Sequence, residues 1–167
     1  AKPAKLLKDG VGVEKSQFTY AVGKLVLGST NLAYPASENT LRTEDLNHLA
    51  LCQPDHAPYG AAAIATLKAL HLEQTLQPRI VMGMDIAQAY QFVQSGNAEL
   101  GFVAYSQLHN QHQGTVWIVP SSLYPAIRQN VLLLRQGAQN HAARAFLTYL
   151  QSAEAHAIIA AYGYDIP

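Results

Sequence analysis

Short apolar runs alternate with helix-forming segments along most of this 167-residue chain. Turn residues such as glycine, proline, asparagine and serine separate the runs, as expected for buried strands. The predicted strands are residues 18–27, 46–52, 79–82, 100–105, 116–120 and 131–134, and the predicted helices are residues 61–72, 86–95, 141–150 and 153–162. This alternation is typical of the α/β class, and we expect a largely parallel sheet flanked by helices.

Composition argues against several classes of protein. With 49% hydrophobic residues, the chain is long enough to bury a substantial core. Eleven Lys plus Arg balance eleven Asp plus Glu, and a formal net charge of zero argues against nucleic acid and anionic membranes as partners. No apolar run reaches the roughly 18 residues that cross a bilayer. Residues 1–5 show no apolar core of a signal peptide.

Few residues point to catalysis, a metal or a cofactor. Cys52 is the lone cysteine and lies in an apolar run, which predicts a buried rather than a reactive thiol. His109 and His112 are three residues apart, but their polar neighbours favour an exposed loop over a metal site. Asp55 and His56 could form an acid–base pair, although adjacent side chains usually point apart and no nucleophile motif accompanies them. We therefore predict no enzyme activity and no cofactor.

A rigid turn at residues 54–60 leads into the alanine-rich helix predicted at residues 61–72. Pro58 can occupy the first helical turn without wasting a hydrogen bond, and Gly60 lets a ligand approach the backbone. The N–H groups of such a helix start, including that of Tyr59, and the positive end of the helix dipole suit an anion. The alternative is an ordinary strand-to-helix connection that binds only water.

A second helix start follows the strand predicted at residues 79–82. Asp85 stands at the N-cap position and Gln88 follows three residues later, which is a capping-box arrangement. Ligands of open α/β sheets bind beyond the carboxyl ends of strands, so the turns at Tyr59 and Ile86 should lie close together if their strands are neighbours. The alternative is that Asp85 only caps its own helix.

Four segments resemble the periplasmic molybdate-binding proteins of ABC transporters, which have the type II periplasmic binding protein fold. They are YAVGKLVL at 20–27, PDHAPYG at 54–60, QFVQSGNAELGFVA at 91–104 and YGY at 162–164. The resemblance covers essentially the whole chain. It implies a periplasmic, non-catalytic, two-lobed clamp that holds a tetrahedral oxyanion, molybdate or also tungstate, and delivers it to an ABC permease.

The resemblance also implies which residues bind the oxyanion. It carries the family's backbone N–H donors onto Tyr59 and Ile86, and the neighbouring Pro58, Gly60 and Asp85 complete the two candidate turns. Some relatives add a tyrosine hydroxyl at the place of Ala104, which cannot donate. Tyr105 is the adjacent candidate, although on a strand its side chain would face the other side.

The resemblance implies that residues 24–128 form a complete second lobe, inserted into a first lobe made of residues 1–23 and 129–167. The family's opening strand and its serine- or threonine-bearing loop have no counterpart here, so the first lobe is predicted to be incomplete. Exposed apolar surface and a homo-oligomer are then expected. The alternative function is a truncated, self-associating domain that binds oxyanions weakly or not at all.

Overall fold

A computed structural model describes residues 2–43, 46–55, 57–108 and 114–167. The chain divides into two compact units, one formed by residues 1–23 with 128–167 and the other by residues 24–127. We call these the first unit and the second unit. It stays a prediction that the first unit is an incomplete first lobe and the second unit a complete second lobe.

The strands are β1 (Phe18–Gly23), β2 (Leu25–Ser29), β3 (Leu49–Cys52), β4 (Ile80–Gly83), β5 (Leu100–Ala104), β6 (Thr115–Ile118) and β7 (Ile127–Val131). The helices are α1 (Lys2–Lys8), α2 (Glu38–Leu41), α3 (Pro58–Ala69), α4 (Glu73–Leu76), α5 (Ile86–Gln94), α6 (Tyr105–Leu108), α7 (His141–Tyr149) and α8 (Ala153–Ala161). Short 3₁₀ turns lie at Gln77–Arg79, Ser121–Leu123 and Arg135–Gly137.

The second unit is built on a five-stranded sheet with the order β4-β3-β5-β2-β6. Strand β3 pairs in parallel with β4 and β5, whereas β2 pairs antiparallel with β5 and β6. Four strands therefore share one direction and β2 alone opposes them, so the sheet is mixed. The predicted α/β class is confirmed.

The two faces of this sheet are covered by different helices. Every residue of β2, β3 and β5 is buried, as expected for strands in the middle of a covered sheet. Leu49 and Leu51 belong to one core cluster with Ala63 of α3, whereas Ala50 packs with Val93 of α5 in another. Because alternate residues of a strand face opposite sides, α3 and α5 cover opposite faces of the sheet.

The first unit combines the two-stranded sheet β1-β7 with helices α1, α7 and α8. Helices α1 and α7 bury no residue and α8 buries only Ala155, so this unit has little core of its own. Four large apolar side chains on or beside α7 and α8 are exposed, namely Phe146, Tyr149, Ile158 and Tyr162. The expectation of exposed apolar surface here is confirmed.

Several predicted strands differ from those observed. The strand predicted at residues 18–27 is interrupted at Lys24, because β1 pairs within the first unit and β2 within the second. The strand predicted at 131–134 lies earlier, as β7, and Leu134 makes only an isolated bridge with Gly12. The strand predicted at 100–105 ends at Ala104, and the next residue begins α6. Helix α1 was not predicted at all.

Candidate functional site

Helix α3 begins directly beyond the carboxyl end of β3. Ala57 is its N-cap in extended conformation and makes no side-chain cap bond, and the exposed Pro58 takes the first helical position as predicted. Tyr59 follows as a buried residue that is 8% exposed, and its backbone N–H lies in the first turn. This N–H therefore belongs to the end of α3 that carries the positive partial charge of the helix dipole.

Gly60 is buried and packs against the end of β3. A Cβ at this position would overlap the carbonyl oxygen of Cys52 and lie 2.8 Å from the carbonyl carbon of Gln53. These are backbone atoms, which cannot move aside like the tip of a flexible side chain. The close approach of α3 to β3 is thus by itself a sufficient reason for a glycine at this position. A role of Gly60 toward a ligand stays a prediction.

Helix α5 begins beyond the carboxyl end of β4, and its capping residues are those predicted. The Asp85 side chain accepts a 2.8 Å hydrogen bond from the N–H of Gln88. The Gln88 side chain in turn accepts one of 2.7 Å from the N–H of Met84, one residue before the N-cap. The N–H groups of Ile86 and Ala87 lie in the first turn, where helical geometry supplies no intrahelical acceptor.

The two helix starts follow neighbouring strands. Strands β3 and β4 are parallel with Cys52 opposite Gly83, and the N–H of Gln53 donates a 2.9 Å hydrogen bond to the Gly83 carbonyl. From the sequence, the turns at Tyr59 and Ile86 were expected to lie close together if their strands are neighbours. The structure confirms that these strands are neighbours. Tyr59 and Ile86 therefore follow two adjacent strand ends at one edge of the sheet.

Cys52 lies at this edge and is fully buried, as predicted. Burial raises the pKa of the Cys52 thiol, and the negative charge of Asp85 raises it further, while hydrogen bonding to its own backbone and that of Gly60 opposes the shift. The same thiol is thus influenced by residues of both helix starts.

The end of β5 is a third strand end at this edge, and the role of Gln107 there was not predicted. Strand β5 ends at Ala104, and the Gln107 side chain accepts a 3.1 Å hydrogen bond from the Ala104 N–H. Its amide group also donates a 3.3 Å hydrogen bond to the Ile86 carbonyl in α5. The signal that could have revealed Gln107 is its position three residues after Ala104, as in a capping box.

Tyr105 does not lie on a strand, so that prediction was wrong. It begins α6, and its N–H donates a 3.0 Å hydrogen bond to the Lys24 carbonyl. Its half-buried ring packs against Val26, Val103 and Leu108, and the Lys24 ammonium lies 6.0 Å from the ring centroid. The half-buried aromatic environment is as expected, and a contact of its hydroxyl with an oxyanion stays a prediction.

The described residues offer no metal centre. Among residues 2–43, 46–55, 57–108 and 114–167, His, Cys, Asp and Glu form no group of three that could hold a metal ion. The histidines considered above, His56, His109 and His112, lie outside the described residues. Within the described ranges, no helix has the length and apolar character needed to span a bilayer. The described residues of the candidate site offer backbone N–H groups of the two helix starts for hydrogen bonding.

Comparison with known proteins shows the family of this chain. Residues 1–165 match the family described as bacterial extracellular solute-binding protein. The chain belongs to this family. It is 46% identical over 164 residues to the molybdate-binding protein ModA of Rhodobacter capsulatus, covering 98% of this chain and 65% of that protein. The ModA of Azotobacter vinelandii is 45% identical over 168 residues, which cover 98% of this chain and 67% of that protein.

A solved structure supports the same assignment for the fold. The periplasmic molybdate-binding protein of Azotobacter vinelandii superposes with a TM-score of 0.92 at 35% identity, covering 99% of this chain and 74% of that structure. The resemblance stated from the sequence and the type II periplasmic binding protein fold are confirmed. The chain spans 65% of the length of the Rhodobacter relative and 67% of the Azotobacter one.

Replacing Asp85 with alanine is expected to lower the free energy of unfolding by about 1 kcal/mol, because the N–H of Gln88 loses its cap. Asp85→Asn is the matched control, since its amide oxygen can still accept that bond. Urea unfolding followed by the fluorescence of the single tryptophan, Trp117, measures both variants. An equal loss in both would show that the carboxylate charge, and not the cap, stabilises the helix.

Proposed function

We propose that this chain is part of the solute-binding component of an ABC transporter and binds molybdate, with tungstate as a second ligand, in the periplasm. One observation carries the proposal. Two helix starts, at Tyr59 and Ile86, follow the carboxyl ends of adjacent parallel strands in a chain that is 46% identical to a molybdate-binding protein. Open α/β sheets bind their ligands in this position.

Backbone N–H donors suit a tetrahedral dianion. They keep a fixed geometry, and the helix dipole adds a positive partial charge at each start without a cationic side chain. Tyr59 and Ile86 supply the proposed donors. Pro58 and Gly60 shape the first turn, Asp85 holds the second by capping it, and Tyr105 is proposed as a neighbouring contact. The zero net charge of the chain is consistent with recognition by neutral groups.

The proposed role is capture and delivery of cargo to an ABC permease, without catalysis. Its support is that the relatives compared above are solute-binding proteins. The alternative of a remnant that does not bind oxyanions is less favoured, because the similarity to molybdate-binding proteins extends over 98% of the chain.

Thermal unfolding in the presence of oxyanions tests the proposal. A ligand that binds only the folded chain, present at about 100 times its Kd, adds about 2.7 kcal/mol of stability. Molybdate and tungstate should raise the unfolding temperature, whereas sulfate at the same concentration and ionic strength should not. An equal shift with all three salts would indicate a general salt effect and contradict the proposal.

We also propose that this chain forms a homo-oligomer through the apolar surface of α7 and α8. Phe146 and Ile158 are 55% and 51% exposed, and exposed apolar surface favours association. In size-exclusion chromatography over a range of concentrations, the unsubstituted chain should elute at a smaller volume than a monomer. The variant with both Phe146→Ser and Ile158→Ser should elute at the volume of a monomer. An unsubstituted chain that elutes as a monomer at every concentration would contradict this proposal.

A further inference from the structure

We infer that Gln107 is a positioning residue of the proposed oxyanion site, which orients the Ile86–Ala87 peptide unit and with it a second N–H donor of α5. The inference rests on the proposed function. Gln107 is partly buried on α6, outside both predicted turns, yet its side chain joins the end of β5 to the first turn of α5. Its side chain therefore connects a third strand end, that of β5, to the start of α5.

The two hydrogen bonds of Gln107 fix the orientation of its amide group. The Ala104 N–H requires an acceptor 3.1 Å away and the Ile86 carbonyl a donor 3.3 Å away. A glutamine amide offers one carbonyl oxygen and one NH₂ group, so one of its two orientations satisfies both partners. The reversed orientation would bring donor against donor and acceptor against acceptor. Hydrogen bonds thus hold both the oxygen and the nitrogen of the Gln107 amide group.

The bond to the Ile86 carbonyl acts on the N–H of Ala87. These two groups belong to one planar trans peptide unit, in which the carbonyl and the N–H point in opposite directions. A donor that holds the carbonyl therefore also holds the direction of the N–H. The Gln107 donor also polarises the Ile86–Ala87 peptide unit, because hydrogen bonds linked through a peptide strengthen one another. Gln107 thus makes the Ala87 N–H a better oriented and stronger donor to an anion.

The bond to the Ala104 N–H has a second consequence. Ala104 ends β5 beside the two helix starts, and its N–H is occupied by the Gln107 side chain. The Ala104 N–H is thus engaged within the protein, whereas the first-turn N–H groups of α5 have no intrahelical acceptor. The number and direction of such donors set which oxyanion fits, so Gln107 contributes to selectivity as well as to affinity.

Gln107→Met tests the inference, because methionine keeps the length of the side chain and loses both hydrogen bonds. Gln91→Met is the matched control, since Gln91 is exposed on α5. Calorimetric titration with molybdate should give a Kd about tenfold higher for Gln107→Met, as expected for the weakening of one bond to a charged group, and an unchanged Kd for Gln91→Met. The ratio of the sulfate Kd to the molybdate Kd should also fall in Gln107→Met.

Amide signals of the ligand-free chain separate positioning from a general loss of stability. In Gln107→Met, the ¹H–¹⁵N signal of Ala87 should shift and the Ala104 N–H should exchange faster with solvent. Gln107→Glu keeps an acceptor for Ala104 but loses the donor to Ile86, so the Ala87 signal should shift while the Ala104 N–H stays protected. An effect confined to stability would leave the Ala87 signal and the Kd of the folded chain unchanged.

The outcomes distinguish the inference from the proposed function. A wild-type chain that binds no oxyanion overturns the proposed function. A wild-type chain that binds molybdate, with an equal Kd for Gln107→Met, overturns the inference alone. An unshifted Ala87 signal in Gln107→Met overturns it too, whatever the ligand affinity.

Discussion

Replacing Ile86 with proline is expected to raise the molybdate Kd about 10- to 100-fold with little loss of fold. Proline removes the N–H of Ile86, and one hydrogen bond to a charged group contributes about 1.5–3 kcal/mol. The first position of a helix tolerates proline. The preceding residue, Asp85, already has the extended conformation that proline prefers before it, with φ −143° and ψ 178°. Calorimetric titration of the variant measures the loss.

Ile86→Ala is the matched control for this substitution. It removes the partly buried side chain, as the proline variant also largely does, but it keeps the backbone donor. The alanine variant should therefore lose some stability while retaining the wild-type Kd. Equal molybdate affinities for the proline and alanine variants would contradict a role for the Ile86 N–H.

Replacing Gly60 with alanine is expected to lower the free energy of unfolding of the second unit by about 3 kcal/mol, the upper end of the usual cost of overpacking. The added Cβ would overlap the Cys52 carbonyl oxygen, so the start of α3 must move away from β3. This movement should also displace the Tyr59 N–H and weaken oxyanion binding. Urea unfolding monitored by Trp117, which lies in β6 of the second unit, measures the stability.

Gly137→Ala is the control for a glycine that has room for a side chain. Its added Cβ would meet Leu133 and Ala143 at ordinary distances of 3.7 and 4.0 Å. Because Gly137 lies in the first unit and Trp117 in the second, the unfolding of this variant is followed by circular dichroism, and it should match that of the unsubstituted chain. If Gly60→Ala left the Trp117 transition unchanged, the close packing of α3 against β3 would not be the reason for a glycine at this position.

The sequence was sufficient to predict the elements that local pattern controls. The apolar runs that became β3 and β5 are buried over their whole length, and such runs are recognisable without knowledge of their neighbours. The N-cap role of Asp85 and the first-turn position of Pro58 were also predictable, because both depend on residues within one helical turn.

Features that depend on tertiary contacts were not predictable in this way. Residues 18–27 form an unbroken run of strand-forming residues, and the interruption at Lys24 arises because its two halves pair with different sheets. The end of β5 is set by the Tyr105 N–H bonding to Lys24 and by Gln107 reaching back to Ala104. The role of Gly60 toward a ligand stays a prediction, and the close packing of Gly60 against the β3 backbone was not visible in the local sequence.

Isothermal titration of the purified chain with molybdate, alongside sulfate and phosphate in the same buffer and salt, tests the central claim most directly. The helix starts at Tyr59 and Ile86 predict saturable binding of molybdate that is tighter than that of either comparison ion. Absence of a binding heat for every oxyanion at several temperatures, or equal affinity for all three, would contradict it.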